Sequence, residues 1–465
     1  MEHSHLSEAQ RRLADANRRE YGEHYHQLSF LDAQGATRAR QRRHALMEEV
    51  LVRAQSGAFG SKLDMNGLSP GCRKCVEGSW SCLFINGRCN CDCFYCPTSQ
   101  DELGLPTTNS VQFRHPDDYV AYLERFGFTG ASLSGGEPLL TPGRSLGYLR
   151  AVKKRFADKM HCWLYTNGTL LTAELLGRLR DEGLDEIRLD IGATNYHLKN
   201  AELAARYIPV VTVEIPAVPE QCEQLKSLLR PMRDAGVKHL NLHQLRLTPY
   251  NFPKLATRPY HFVHGEKVTV LESELCALEV MAHGFREGIE LPVNYCSFVY
   301  KNRHQKAAAR RRGGLFVRKA HESLTDAGLI RSLVLKGAEV ALKQQAAQFE
   351  SAGIDASLWQ LDEKKGRLAI HARMLERCGV DGLELWAGYA EAAVRERASG
   401  YHGFQELRLP SNRKLAIERW SVRAEGILGG EQRRELMDWV GGSSDAPPKG
   451  LAAFEQLPEG MQEYF

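Results

Sequence analysis

Between about residues 81 and 294, short apolar runs rich in β-branched and aromatic residues recur along the chain. Each is followed by a longer stretch whose apolar positions return every three or four residues. The runs at 82–86, 131–134, 161–165, 186–191, 209–215 and 239–244 read as strands. The stretches 115–126, 144–156, 173–182, 196–205 and 220–235 read as helices. This alternation predicts parallel βαβ units and an α/β fold. Residues 1 to about 60 are polar, charged and helix-prone, and predict one or two helices. Toward the other end, 334–350 reads as a helix, 367–376 as a strand passing into a helix or one continuous helix, 383–396 as a helix, and 442–450 as a flexible linker. No shorter internal repeat is visible. The predicted organisation is a helical N-terminal extension (1–70), an α/β core with a cysteine-rich lead-in (71–300), and a basic helix opening a C-terminal mixed α/β accessory domain (301–465).

Cys89, Cys93 and Cys96 follow the first predicted strand with C-x3-C-x2-C spacing. Three thiolates so spaced suit one face of a cubane iron–sulfur cluster and leave its fourth iron without a protein ligand, where four cysteines normally complete such a site. Zinc sites and redox pairs also use C-x2-C, and Cys91 would complete a set of four. The second predicted strand runs into Gly135-Gly136-Glu137-Pro138. Two glycines let the backbone approach a ligand closely, and a carboxylate complements an ammonium. An ordinary glycine turn with a solvated Glu is the simpler alternative. Thr166, Asn167 and Gly168 end the third predicted strand, where they fit both a cap and turn before a helix and a contact to a ribose.

At these residues the chain resembles the radical S-adenosylmethionine (SAM) superfamily. The resemblance implies a partial (β/α)6 barrel of the TIM type, with the N-terminal helices lying against it. It implies that Cys89, Cys93 and Cys96 hold a [4Fe-4S] cluster whose fourth iron is chelated by SAM. Tyr95 matches the aromatic position near the adenine, and Gly135, Gly136 and Glu137 match the motif beside the SAM ammonium. Barrels of this kind place chemistry at the C-terminal ends of their strands, and the three motifs end three successive strands. Arg188 and Asp190, two residues apart on the fourth strand, point to one face. Arg188 would meet the SAM carboxylate and Asp190 the substrate, with an internal ion pair as the alternative. Glu214, His243 and Gln244 are further candidates for the cavity wall.

The lead-in Cys72-x2-Cys75-x6-Cys82 adds thiols ahead of the loop. With Cys91 they suit a second site for iron or zinc, unless Cys82 is a small buried residue and Cys91 is sterically excluded. Cys296 is open to three roles: a metal ligand, a quencher of a substrate radical, or an inert core thiol. Cys162, Cys222, Cys276 and Cys378 look structural. The runs GCRKC, CDCFYCP and YCSFVYKNRHQ are similar to a radical SAM group related to pyruvate formate-lyase activating enzymes. They also resemble the cobalamin-dependent radical SAM arginine methyltransferase of methyl-coenzyme M reductase, although no D-x-H-x-x-G cobalamin fingerprint is present.

Of 12 cysteines, seven (72, 75, 82, 89, 91, 93 and 96) fall in one short stretch, unlike a secreted disulfide framework, so a reducing cytoplasmic setting is expected. No signal-type apolar segment or membrane span is apparent, and no membrane association is expected. A net charge of +4 does not imply nucleic-acid affinity. The basic runs 38–43 and 301–312 read as solvated helix faces, with an anionic substrate, RNA or an acidic partner as alternatives. His3, His5, His24 and His26 read as water-facing.

Three functions fit. The first is hydrogen abstraction from a peptide or protein after reductive SAM cleavage, including activation of a glycyl-radical enzyme, with a one-electron donor such as flavodoxin or ferredoxin. The second is cobalamin-dependent C-methylation. The third is a non-enzymatic zinc-binding scaffold for RNA or protein.

Overall fold

The computed structural model describes residues 7–58 and 60–465. His3 and His5 lie outside the described residues, while His24 and His26 are exposed. The chain forms two compact units, one of residues 1–108, 112–304 and 459–465, the other of 109–111 and 305–458.

The first unit is built on a sheet of seven parallel strands: β3 (Trp80–Asn86), β4 (Gly130–Gly135), β5 (His161–Thr166), β6 (Glu186–Leu189), β7 (Val210–Pro216), β8 (His239–His243) and β9 (Val293–Cys296). They pair in that order. Two antiparallel strands, β1 (Gln55–Gly57) and β2 (Lys62–Met65), extend the sheet beyond β9. The sixth predicted strand was expected to be the last of the parallel set; β9 adds a seventh, because its lumen-facing residues are the polar Asn294 and Cys296 and only Val293 and Tyr295 read as apolar.

Helices between the strands bury one apolar stripe against the sheet, as in Pro142–Phe156 with Leu146, Leu149 and Val152, and in Cys222–Asp234 with Leu225, Leu229 and Met232. Two N-terminal helices, Glu8–Tyr21 and Ala33–Leu51, belong to the same unit, and the second packs on Leu271–Arg286. The sheet curls around a short helix, Pro70–Val76, whose N-cap Ser69 bonds Arg188 of β6. Its Gly71 amide donates to Glu186 of β6 at 2.9 Å, and its Cys72 Sγ accepts from Asn241 of β8 at 3.2 Å. This helix fills the lumen of a partial barrel.

The second unit is an antiparallel sheet covered by helices, including Glu339–Ser351 and Gly430–Gly441. The segment 383–396, expected as a helix, is the strand Glu384–Arg395 between Ile330–Lys336 and Lys414–Ile427. Leu385, Ala387 and Tyr389 alternate into the core, so a two-residue burial period overrides the helix propensity of its alanines. Likewise 334–350 divides into the end of strand Ile330–Lys336 and the helix from Glu339. In the basic helix Lys306–Val317, Arg310 and Arg311 donate to the carbonyls of Ala327 and Thr325, so these guanidiniums serve the unit's own loop. Among the described residues no helix is long and apolar enough to cross a membrane.

Candidate active site at the barrel mouth

The cysteine loop leaves β3 and is fastened to the end of β4 by backbone. Gly136 N donates to Asn86 O at 2.9 Å and Glu137 N to Arg88 O at 2.7 Å. The approach requires both glycines: Gly135 has φ +139°, and a Cβ on either residue would run into the carbonyl of Asn86 or Arg88. Gly136→Ala should therefore displace the loop. We expect a stability cost of about 1–3 kcal/mol and reduced iron per chain, measured by iron assay and by proteolytic nicking within 88–101.

Glu137 is fully buried, and its carboxylate accepts from Thr166 Oγ1 (2.9 Å), Asn167 N (2.8 Å) and Leu139 N (2.9 Å). Burial pushes its pKa up, and these donors oppose the shift. The carboxylate thus clamps the ends of β4 and β5 together. Asn167 then reaches the loop: Nδ2 donates to Asn90 Oδ1 at 2.8 Å and to Cys91 Sγ at 3.3 Å, and lies 3.7 Å from Cys89 Sγ. Gln100 Nε2 donates to Cys96 Sγ at 3.1 Å.

Cys89, Cys91, Cys93 and Cys96 are free thiols, all partly exposed on this loop. Amide donors aimed at sulfur suit metal-bound thiolates, and soft sulfur ligands suit an iron–sulfur cluster, so the residues present fit the cofactor. Without metal, burial pushes Cys93 up to about 12 and Cys91 up to about 11, with neighbouring acids and thiols adding to it. Ligation must therefore displace protons.

Tyr95 Oη donates to both oxygens of Asp190 at 3.0 Å, and Gly192 N caps the same carboxylate at 3.1 Å. Burial raises Asp190 to about 6 against those donors. Arg188 lies below the rim in the internal arrangement that its spacing left open. Nε bonds Glu186 at 2.8 Å, Nη1 bonds Glu214 at 2.6 Å and Tyr165 Oη at 3.2 Å, and the guanidinium stacks over Trp163. Burial alone would raise Glu186, but Arg188 and His161 hold it down at about 2. Glu214, also bonded to His243, is held well below the usual carboxylate range by the same guanidinium and by the imidazole.

Cys72, Cys75, Cys82 and Cys91 are spread out. Cys91 is on the loop, and Cys82 faces Ser132 and Ser134 across the β3–β4 ladder. Cys75 accepts from Tyr300 Oη at 3.2 Å. Among the described residues, no three of these four bring their sulfurs within 4.8 Å of one another, and neither do Cys89, Cys93 and Cys96. Cys222, Glu223 and Glu279 do converge that closely, but Glu279 is already paired with Arg42 and Lys226. Gln244 turns away from the rim to Tyr464 Oη at 2.9 Å. Lys62, Asn90, Gln100, Asn241 and Tyr300 were not singled out from sequence. The available signal was the period-two polar pattern shared by β2 (Lys62, Asp64), β8 (Asn241, His243) and β9 (Asn294, Cys296).

A partial parallel barrel whose rim gathers thiols, a glycine pair and a clamped carboxylate is the framework of a cofactor-using α/β enzyme. A model described as the Radical SAM superfamily matches residues 83–201. A protein of Methanocaldococcus jannaschii, named as a candidate glycyl-radical enzyme activating enzyme, is 30% identical over 301 residues, covering 62% of this chain and 79% of its own. Two solved structures are similar over part of their length. Streptococcus suis SuiB bound to precursor peptide SuiA has a TM-score of 0.28 and 12% identity, covering 44% of this chain and 43% of its own. The methyltransferase TsrM of Kitasatospora setae, with cobalamin and a [4Fe-4S] cluster bound, has a TM-score of 0.27 and 15% identity, covering 37% and 38%. The matched region thus spans less than half of either structure. The chain belongs to the radical SAM superfamily and is a radical SAM enzyme, a class defined by SAM and a [4Fe-4S] cluster.

Proposed function

We propose that Cys89, Cys93 and Cys96 hold the [4Fe-4S] cluster and that the enzyme abstracts hydrogen from a peptide or protein. When bound, the cluster supplies the electron that breaks a C–S bond of SAM, giving methionine and a 5'-deoxyadenosyl radical. The observation that carries this reading is the physical joining of the three rim motifs, in which Gly136 and Glu137 are bonded to the cysteine loop and Asn167 bridges Glu137 to the Cys89 and Cys91 sulfurs. In this reading Gly135 and Gly136 leave room for SAM, Glu137 fixes Thr166 and Asn167 around it, and Tyr95 is held by Asp190 beside the adenine. Arg188 acts indirectly, as the cation that keeps the lumen carboxylates ionised. Residues 71–300 carry the chemistry, 1–70 brace it and 305–458 form an accessory domain. A one-electron donor of the flavodoxin or ferredoxin type supplies reducing equivalents.

A macromolecular substrate is supported by the name of the M. jannaschii relative, since an activating enzyme acts on another protein. Anaerobic reconstitution followed by iron, sulfide, zinc and corrinoid analysis, then incubation with SAM and dithionite, tests the reading. Methionine and 5'-deoxyadenosine in equal amounts, without corrinoid, are expected. A corrinoid band with S-adenosylhomocysteine would replace the reading by cobalamin-dependent methylation. Colourless zinc protein without SAM cleavage would remove it.

A further inference from the structure

One part of the lumen has no task in SAM binding. Lys62 of β2 pairs in register with Cys296 of β9 and is only 2% exposed, yet among the described residues its side chain has no hydrogen bond and no ion pair. Its ammonium lies 4.9 Å above the Tyr300 ring; burial opposes its charge, and the thiols of Cys296, Cys72 and Cys75 and, less strongly, the more distant carboxylate of Glu214 favour it. A buried ammonium without a carboxylate in ion-pair range is costly and favours a nearby compensating anion.

Cys296 ends β9 on the same face as Asn294, whose side chain bonds Asn241 inside the barrel. His243 stands level with Cys296 in the β8–β9 ladder; its Nε2 is bound to Glu214, and its Nδ1 is buried without a geometric partner. His243 also acts on Asp190, which receives the Tyr95 hydroxyl from the cysteine loop. A hydrogen bond thus ties the loop through Tyr95 to Asp190, strand register sets His243 beside Cys296, and the charge of His243 acts on Asp190 between them. Burial would raise the Cys296 thiol, but Lys62 and His243 overcome it and bring it to about 6. At Cys162 and Cys82 burial outweighs the opposing charges of Lys153 and Lys301, and the thiols are pushed up to about 12 and about 11. The contrast separates Cys296 from the inert core thiols.

Resting on the proposed reading, we propose that Cys296 donates a hydrogen atom to the carbon radical formed at the barrel mouth, with Lys62 and His243 as positioning residues. The acceptor carbon gains a C–H bond as the weaker S–H bond breaks, leaving a thiyl radical on Cys296. Donation requires the protonated thiol, so the proton first passes to the sulfur from His243, its neighbour in the β8–β9 ladder, and the S–H bond then breaks. The thiyl radical returns to thiol with one electron from the one-electron donor and one proton delivered through His243. The radical then ends inside the enzyme and the product is closed-shell, unlike an activation that leaves a radical on a partner.

The test uses reconstituted holoenzyme with SAM and dithionite in deuterium oxide, without substrate and without added thiol. The 5'-deoxyadenosyl radical then serves as the carbon acceptor, and the sulfur carries exchangeable deuterium. The wild type should give 5'-deoxyadenosine bearing solvent deuterium on the 5'-methyl group, and the labelled fraction should be lost in Cys296→Ala and Cys296→Ser. A nitrone spin trap should leave an adduct that peptide mass spectrometry places on Cys296. Unlabelled product from the wild type, label persisting in both variants, or an adduct confined to another cysteine would overturn the proposal. Absence of 5'-deoxyadenosine from the wild type would instead remove SAM cleavage itself, and the proposal with it.

Discussion

Cys93→Ala is expected to lose the visible iron–sulfur absorption after reconstitution and to lower SAM cleavage more than about a thousandfold, while unit stability changes by no more than about 1 kcal/mol. The asymmetry follows from what the side chain does in the apo loop. Cys93 contributes its carbonyl to Cys96 N at 3.1 Å, a backbone bond that Ala preserves. The loop is further held by Cys89 N to Gln100 O at 3.2 Å and Gly87 N to Leu103 O at 3.3 Å, neither of which involves a thiol. The sulfur itself gains stability only from metal, because burial holds its proton at neutral pH. Iron and sulfide content, the visible spectrum and a urea midpoint on the same preparation separate loss of the cofactor from loss of fold. Full cleavage by a variant retaining its iron would remove Cys93 from the ligand set.

The rim was legible in the sequence because each motif directly follows a strand, and strand ends are marked by glycine, proline and capping residues that local sequence reveals. Gly135 and Gly136 could be recognised as a close approach, but not what they approach. The structure identifies it as the backbone of Asn86 and Arg88, which ties the motif to the cysteine loop rather than to a ligand alone. The carboxylate of Glu137 could be matched to an ammonium by charge, yet two of its three protein donors, Thr166 Oγ1 and Asn167 N, come from the end of β5, brought near by the β4–β5 ladder. One of those donors, the Thr166 hydroxyl, also accepts from Gly168 N, so the turn and the clamp share an atom.

The lumen was hidden for a different reason. Arg188 and Glu186 are two residues apart and visibly share a face, but Glu214, Asn241, Ser69 and Cys72 reach the same space only through parallel register and a plugging helix. Strand β9 escaped because a four-residue strand with polar lumen positions lacks an apolar run, and Glu384–Arg395 was mistaken because alanine favours helix until burial alternates. Sequence periodicity reports which side of an element is apolar; here the decisive residues occupy the polar inner side.

That polar interior makes Arg188→Met the substitution with the largest expected effect on stability. The guanidinium is 4% exposed and the Glu186 side chain fully buried, so removing the cation leaves two carboxylates in the lumen with neutral donors, two histidines and the more distant charge of Lys301. Breaking one side of such a buried network costs about 3–5 kcal/mol at pH 7, read as a lowered urea midpoint for the first unit. The pH dependence gives the cause. In the wild type Glu186 is depressed to about 2, below its unfolded value of about 4.3, so its stabilisation is present above that unfolded value and disappears as pH falls toward 2. In the variant, burial loses its main opponent and the folded pKa rises above the unfolded one; the carboxyl is then tolerated at low pH and destabilises as pH rises through the raised value. The gap between wild type and variant should therefore be wide at pH 7 and shrink as pH approaches 4. A gap that stays constant over that window would mean that Arg188 contributes packing over Trp163 and Tyr165 rather than charge, and that the carboxylates do not depend on it.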